Sequence, residues 1–559
     1  MITAITIQNF KGIGERVELE LRPLTLMFGP NSAGKSTVLH ALQYLAEVML
    51  HDNLDGPRDV AGKATVDLGG FRNLVHGHDL QSTLRVGVTV DLGNAAVEAL
   101  QDPTHSFEAI QEALKLEDEQ GGHCNWFAVF TRVHVLIAVR WNEYTGRPDV
   151  SQLDLHAVDS EHGPIPLLLS IQTDLQDQRR IVTINPGNPA LEKTAPYCPQ
   201  TEERHHSTSN ERPNSTVLGE CLKRCEPLCQ TVSSGAWCLA SVGSSLIPGP
   251  GRGLFFATSR FDRTAARQKL GGVDPEEFLA EVQGGLSHLL SVALNGVRDH
   301  LRSIRAIGPL RTLPPRNYHF SERTAASDWR EGMAAWECLA NAPQELVDRL
   351  NVWLKDRLNT GYEIRRKEWI ELDCSLPWVQ ELLSSTSAAP PNATARAALG
   401  KLTKFSRVVI SPVTNRSLEL TLHDLGIGIA QLLPFVVAAL DSKGGMIAVE
   451  QPELHVHPRI QAELGDLFIE SVKTKKQRFL IETHSEHLIL RLQRRIREAT
   501  ASRASNATAL SSEDLVVYYL GREAGATVVR RIDVDRDGEF VQPWPDDFFD
   551  IDFYERFSK

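Results

Sequence analysis

Apolar positions recur along this chain with two periods. Residues 1–23 carry two short runs around Asn9-Phe10-Lys11-Gly12. In the first, Ile5 and Ile7 alternate with Thr6 and Gln8 while Ile2 falls out of step, a loose alternation that predicts a buried or edge strand. Leu24 to Phe28 is a short, wholly apolar run and reads as a buried strand. From Ser36 to Leu50, Val38, Leu39, Leu42, Leu45, Ala46 and Met49 recur at helical spacing. Leu84 to Asp91 alternates through Leu84, Val86, Val88 and Val90, Phe127 to Trp141 is a second β-rich run, and residues 164–184 add strands. Residues 185–216 are rich in Pro, Asn, Ser, Thr and charge and read as a loop. From Asp274 to Ile304 one stripe (Phe278, Val282, Leu286, Leu289, Leu290, Leu294, Val297, Leu301, Ile304) predicts a long helix, too short for an extended coiled coil. Helix is expected over 334–357, strand over 361–373, a linker that turns helical over 383–399, and two β runs around Pro412-Val413-Thr414-Asn415. Met446 to Val449 and Arg478 to Ile481 are further buried strands, residues 498–512 a surface loop, and Leu515 to Phe540 is β-like. No internal repeat is evident, and the mixture of periods makes the chain α/β.

Composition narrows this. With 559 residues the chain exceeds one ordinary core, so two or three structural units are expected. No stretch is long and apolar enough for a membrane span, and the N-terminus lacks the basic-then-apolar layout of a secretory signal, which makes the cytoplasm the expected location. A net charge of −12 disfavours a non-specific nucleic-acid coat but leaves room for a local basic groove. Four of the eight cysteines, Cys221, Cys225, Cys229 and Cys238, lie close together, with Cys198, His205 and His206 upstream. Their spacing is not the C-x₂-C of structural zinc, and Pro227 interrupts a helix there; small buried thiols are the reading, a metal site the alternative.

Two stretches carry chemistry. Gly29-Pro30-Asn31-Ser32-Ala33-Gly34-Lys35-Ser36 fits G-x-x-x-x-G-K-[ST] directly after a strand and before a helix, the context a phosphate-binding P-loop requires. Gly29 and Gly34 allow the tight turn that aims backbone N–H groups at phosphate oxygens. Lys35 supplies a charge for the β- and γ-phosphates, Ser36 a hydroxyl for Mg²⁺, and the helix start at Lys35–Thr37 its positive dipole end. Lys11, ahead of this strand, reads equally as a nucleotide contact or a turn residue.

The second stretch runs from His423 to His487. Gly426, Gly428, Ala430 and Gln431 lie in a glycine-bearing loop entering a helix, where N–H groups can hold a phosphate. Glu450-Gln451-Pro452-Glu453 closes one buried strand, and a carboxylate there can hold Mg²⁺ or its water. Glu482-Thr483-His484-Ser485 closes another, with a histidine placed to sense or orient a γ-phosphate. Ser485 is no nucleophile elbow, since G-x-S-x-G is absent. Ile307 to Tyr318, with Arg311 and Arg316, suits phosphate or partner contact and a structural clamp equally, and Arg491, Arg494, Arg495 and Arg497 read as a solvated helix face.

With Asn9-Phe10-Lys11, the P-loop, Glu450-Gln451-Pro452-Glu453-Leu454-His455-Val456-His457-Pro458 and Glu482-Thr483-His484-Ser485 taken together, the chain resembles the ABC-type ATPases of the SMC, RecF and OLD (overcoming lysogenization defect) group. Within that group it resembles the stand-alone bacterial ATPases, also through Leu68-Gly69-Gly70-Phe71-Arg72 and the tail Trp544-Pro545 to Phe548-Phe549-Asp550. The likeness covers residues 1–77 and about 305–559.

The resemblance implies a P-loop NTPase head of the ABC type, split by a mixed α+β and helical insertion. The expected parts are 1–77 with the P-loop, 78–304 as the insertion, 305–400 as a return segment with a helical lobe, and 401–559 with the remaining motifs and a C-terminal family domain. It implies ATP and Mg²⁺, with Ser36 and Glu450 on the metal, His484 as the switch, and the Gly426–Gln431 loop acting in trans on ATP held by another subunit. A nucleotide-glued homodimer or higher oligomer is implied, with Glu453 to His457 at its junction. A separate effector such as a nuclease or toxin, in phage-defence or repair settings, follows from the same likeness.

Two departures matter. Gln451 stands where ABC enzymes place the water-activating glutamate, and a glutamine orients water but takes no proton. Ala430 stands where related loops carry a serine. Together they predict slow hydrolysis, long-lived ATP-bound dimers, or substitution by Glu453. The stretch after His484 is too short for the nuclease domain fused in OLD proteins. The alternatives are a RecF-like DNA-binding repair ATPase and an ATP-bound scaffold with little turnover; a GTPase is disfavoured because Asn-Lys-x-Asp is missing.

Overall fold

The computed structural model describes residues 1–55, 68–100, 130–158, 163–173, 180–185, 187–192, 217–225, 228–233, 236–239, 254–315, 329–384, 399, 404–441, 444–501 and 509–545. Cys198, His205, His206, Pro227, Arg316, Asn317, Tyr318 and Phe548-Phe549-Asp550 lie outside them. The chain divides into two compact units: Met1–Arg22, Gly29–Ile304 and Tyr519–Arg530 form one, and Pro23–Phe28, Arg305–Tyr518 and Arg531–Lys559 the other.

The first unit is built on a nine-stranded sheet. Its strands are β1 (Ile2–Gln8), β2 (Val17–Glu20), β4 (Leu84–Asp91), β5 (Arg132–Asn142), β6 (Arg147–Val158), β7 (Leu167–Thr173), β8 (Arg180–Ile184), β9 (Thr231–Ser233) and β10 (Ala236–Leu239), in the order β2-β1-β4-β5-β6-β7-β8-β10-β9. Neighbouring strands pair antiparallel, and their register lines up Ile5, Val88, Val135, Leu155 and Leu169 across five strands. All five are buried, so one face of the sheet is a continuous aliphatic ladder, as period-2 alternation demands. The phase slip of Ile2 is a bulge: the register against β4 shifts between Ile2 and Ala4.

Helix α1 (Lys35–His51) and the long helix α3 (Pro275–Arg302) pack in this unit, α3 also meeting β4 and β5. Asp274 caps α3 by accepting from Glu276 N–H, and Pro275 sits in its first turn. Its apolar stripe is buried from Phe278 to Leu301, and Arg298 Nε donates to Met49 O at 3.0 Å, tying α3 to α1. Between them in sequence lies α2 (Val217–Cys225). Cys221, Cys225, Cys229 and Cys238 are all buried thiols. A hydrogen bond with Cys229, with burial added, holds the Cys225 thiol well above its ordinary range.

The second unit holds the core of a six-stranded sheet: β3 (Leu24–Phe28), β11 (Arg305–Ile307), β14 (Met446–Glu450), β15 (Arg478–Glu482), β16 (Leu515–Glu523) and β17 (Ala526–Ile532), in the order β11-β14-β15-β3-β16-β17. β11, β14, β15 and β3 run parallel. β3, β14 and all of β15 past its first residue are buried, which is why they read as unbroken apolar runs rather than alternating ones. Three helices matter here: α4 (Ile427–Leu440), α5 (Pro458–Lys475) and α6 (Glu486–Thr500). α4 packs on β11, β14 and α5, and α5 on α6 and β3. A separate antiparallel pair joins β12 (Tyr362–Ile370) to β13 (Lys404–Pro412). This order, parallel strands with the P-loop following β3, is an α/β P-loop NTPase arrangement.

Candidate functional site

In the first unit the P-loop folds as its glycines require. Gly29 and Gly34 take φ of 144° and 101°, and Ser32 is left-handed at 63°. Ala33 N donates to Pro30 O, Thr37 N to Gly34 O, and Gly34 caps α1, leaving Lys35 and Ser36 in its first turn. The buried Lys35 ammonium donates to Gly29 O and Pro30 O, both at 2.9 Å, so the charge is held over the loop itself. Asn31 and Ser32 are exposed and Ala33 is buried.

Sequence reasoning missed the residue that clamps this loop. Thr527, buried, donates its hydroxyl to Ala33 O at 2.9 Å, and its N–H to Gly12 O at 2.8 Å. A Cβ on Gly34 would fall 2.6 Å from Thr527 Oγ1, and one on Gly12 2.4 Å. Close approach thus requires a glycine at both positions, and at Gly34 the positive φ requires it as well. Lys11 is left-handed (φ 49°), its N–H donates to Leu74 O, and its ammonium donates to His40 Nδ1 on α1 at 2.8 Å. His76 Nδ1–H in turn donates to Lys11 O. Lys11 therefore braces the turn against α1 close to the P-loop, a geometry its position in the sequence alone leaves open.

In the second unit the parallel register aligns the strand ends. Glu450 pairs with Glu482 and Glu482 with Met27, while Thr483 N donates to Met27 O and Gln451 N to Glu482 O. Both carboxylates thus stand at the C-terminal edge of the sheet, where open α/β sheets bind ligands. Glu450 is 6% exposed, and Arg330 Nη2 lies 3.9 Å from its Oε1. Gln451 is left-handed at φ 46°, which throws the chain into a turn that brings Glu453 back under the neighbouring strand end. Glu453 Oε1 accepts from His484 N–H at 2.7 Å and Oε2 from the Thr483 hydroxyl at 2.8 Å. Burial pushes the Glu453 carboxyl up, and those two bonds and the Arg311 charge pull against it. Ser485 caps α6 by accepting from Leu488 N–H, and its hydroxyl donates to Gln461 Oε1. It is a structural residue.

The Gly426–Gln431 segment divides in two. Gly426 and Ile427 are exposed, Ile427 by 57%, whereas Ala430 and Gln431 are buried in their own unit. The Gln431 carboxamide is used at both ends, accepting from Arg311 N–H at 3.0 Å and donating to Arg311 O at 2.7 Å. Of the four residues expected to act in trans, only Gly426 and Gly428 are placed at a surface. Gly428 has its own constraint: a Cβ there would lie 2.4 Å from His455 O, so the helix start sits directly on the Glu453–His457 turn.

The basic run on α6 is not uniformly solvated. Arg491 Nη1 and Arg495 Nε both bond Asp466 on α5 at 2.7 Å, and Arg491 Nη2 bonds Glu463 at 3.0 Å; Arg494 and Arg497 face outward. These arginines lock α6 to α5. Among the described residues no group of three or more His, Cys, Asp or Glu side chains is arranged to hold a metal, and no helix is long and apolar enough to cross a membrane.

Residues 1–115 and 342–489 match the family model described as the AAA ATPase domain. The chain therefore carries an ATP-binding ATPase domain, interrupted along the sequence. No curated protein matches it. Among solved structures, the SMC head domain from Thermotoga maritima is 10% identical, with 95% of this chain and 99% of that one covered and a TM-score of 0.34. An Smc head bound to the C-terminal winged-helix domain of ScpA is 9% identical (95% and 98% covered, TM-score 0.38). An Smc head with an extended coiled coil, bound to the C-terminal domain of ScpA derived from Pyrococcus furiosus, is 9% identical (95% and 96% covered, TM-score 0.36).

Proposed function

We propose that this ATPase domain binds ATP with Mg²⁺ on the Gly29–Thr37 loop, turns it over slowly, and uses the bound state as a switch. One observation carries the reading: the ends of β14, β15 and β3 stand in a row at one edge of a parallel sheet, and the P-loop continues β3 by a single peptide bond. By the likeness to ABC-type ATPases, Glu450 and His484 are assigned to the same nucleotide as Lys35 and Ser36. The donor set fits a magnesium nucleotide: backbone N–H groups in a positive-φ loop, one ammonium, one hydroxyl, and a buried carboxylate. Mg²⁺ would supply charge neutralisation at the phosphates; Ser36 and Glu450 would hold it, and Lys35 would steady the γ-phosphate.

Slow turnover follows from Gln451 and from Glu453. A carboxamide orients water without accepting its proton. Glu453, the substitute base, already accepts bonds at both oxygens and serves to fix the His484 turn. The same observation favours a second reading, an ATP-bound scaffold with negligible turnover. In both, a second copy closes on the nucleotide through its Gly426–Gly428 surface. By the likeness to stand-alone ABC-type ATPases, the assembled state signals to a separate effector, a nuclease or toxin, in phage defence.

The test is binding of a fluorescent ATP analogue, ATP turnover and mass in solution for wild type, Lys35→Ala and Gln451→Glu, with and without duplex DNA. Lys35→Ala should abolish binding, and Gln451→Glu should raise turnover. Assembly on ATP with no turnover in either form favours the scaffold, and DNA-stimulated turnover a RecF-like DNA-acting enzyme. Undiminished binding by Lys35→Ala would refute the site.

A further inference from the structure

Arg311 is an unusual residue to find where it is. It is 4% exposed, and it lies wholly within the second unit. Its Nη2 donates to Glu450 O at 2.7 Å and lies 3.5 Å from Gln451 O, while Nη1 reaches Gln431 O at 3.4 Å. The guanidinium lies 5.3 Å from the centre of the Phe435 ring, one turn along α4 from Gln431. Its Nε is buried with no hydrogen-bond partner. The cation thus spans the last residues of β14 and the first turns of α4, with two carboxylates, Glu450 and Glu453, as its countercharges.

The cost of this arrangement is informative. A buried guanidinium with an orphaned N–H is worse for stability than an apolar side chain of similar length. Burial shows in the proton affinity, which falls to about 10 despite both acids. Two of its bonds are at the limit of useful length, one to the helix and one to the strand end. A small shift of α4 or of the strand end changes at least one of these contacts. The side chain is therefore placed as a lever between two elements.

We infer that Arg311 is a positioning residue that couples the seating of the Gly426–Gln431 segment to the placement of Glu450 and Gln451. Engagement of the exposed Gly426–Gly428 surface would move the start of α4, and Arg311 would pass that movement to the carbonyls of Glu450 and Gln451. The functional half of this inference rests on the ATP-switch reading above; the mechanical half does not.

The test uses the full chain with Arg311→Lys, which keeps the charge but loses the fork, and Arg311→Met, which keeps the length. Without nucleotide, amide exchange should rise about tenfold in both 427–433 and 450–456 in each variant, with 478–482 unchanged. With nucleotide, affinity should stay within about threefold of wild type while turnover drops about tenfold. Gln431→Met added to Arg311→Met should cost little more than either alone. Exchange that rises only around 309–313, or unchanged turnover in either folded variant of an active enzyme, would overturn the inference. If wild type neither binds nor hydrolyses ATP, the switch reading falls, and the exchange result alone decides whether Arg311 couples the two elements.

Discussion

Replacing Gly428 with alanine adds one methyl group where the structure has least room for it. The new Cβ would stand 2.4 Å from His455 O, against the 3.4 Å at which ordinary contacts begin. About an ångström must be recovered. Neither partner yields easily: His455 is itself left-handed at φ 62°, and Gly428 is in the first turn of a helix whose third, fourth and fifth residues after it are buried. Overpacking of this kind costs about 1–3 kcal/mol. The assay is urea unfolding followed by circular dichroism, with Gly426→Ala as the control, because nothing lies within 4 Å of a Cβ at Gly426. Gly428→Ala should lose about 1–3 kcal/mol and Gly426→Ala less than about 0.5. Equal stability for the two variants would refute the close seat of α4 on the Glu453–His457 turn.

His134 sits on the other face of the nine-stranded sheet, 7% exposed, bonded to the Thr89 hydroxyl, and burial followed by the His156 and Arg16 charges lowers its pKa from 6.5 to about 4. Its neutral form stabilises the fold fully above pH 6.5, and that contribution, roughly 3 kcal/mol, is lost as pH falls from 6.5 toward 4. Urea unfolding at pH 7 and pH 4.5 should show the wild type losing more stability than His134→Gln, and an equal loss would discredit the burial. Asp466→Asn removes the carboxylate that holds Arg491 and Arg495 and should cost about 3–5 kcal/mol; a melting temperature unchanged from wild type would show that the α5–α6 lock is cosmetic. Thr527→Val keeps the shape but leaves Ala33 O without its donor, which at about 1 kcal/mol should weaken ATP-analogue binding about fivefold; unchanged affinity would free the P-loop from that clamp.

Elements with an uninterrupted period were legible in the sequence. β3, β4, α1 and α3 lie within a residue or two of where the apolar spacing puts them, because burial on one face is what that spacing encodes. β6 was not legible. Val150 is in register with Val139 but Gln152 with Ala138, so Ser151 is an extra residue that reverses the alternation midway along the strand. The β run after Asn415 reduces to a single bridge between Leu420 and Ile410, too short to pair further before the turn at Leu422–Asp424.

Around the candidate site the motifs were legible and their supports were not. Thr527 grips Ala33 from 494 positions away, and no local pattern marks a threonine for that task. The arginines of α6 could not be sorted from sequence, since Arg491 and Arg495 differ from Arg494 and Arg497 only in which side of one helix faces Asp466. Arg311 was visible as one of two arginines in a glycine–proline turn, but only the fold decides between a phosphate contact and a clamp.

That decision changes the reading of the strand ends around Gln451. Three acids stand near the strand ends, Glu450, Glu453 and Glu482, and Glu453 is engaged at both oxygens in holding the turn that carries His484. Freeing it to take a proton would release Thr483 and the His484 backbone together. Both Glu453 oxygens are thus committed to the geometry of that turn. Arg311, Gln431 and the Gly428–His455 contact extend the same bracing from the edge of the sheet to an exposed glycine surface. Such a framework transmits the state of that surface to the strand ends whether or not hydrolysis follows. Occupancy of the P-loop and the arrangement of the second unit should therefore be separable by mutation: Lys35→Ala should remove the first and leave the amide-exchange pattern of 427–456 in place, and Arg311→Met should do the reverse.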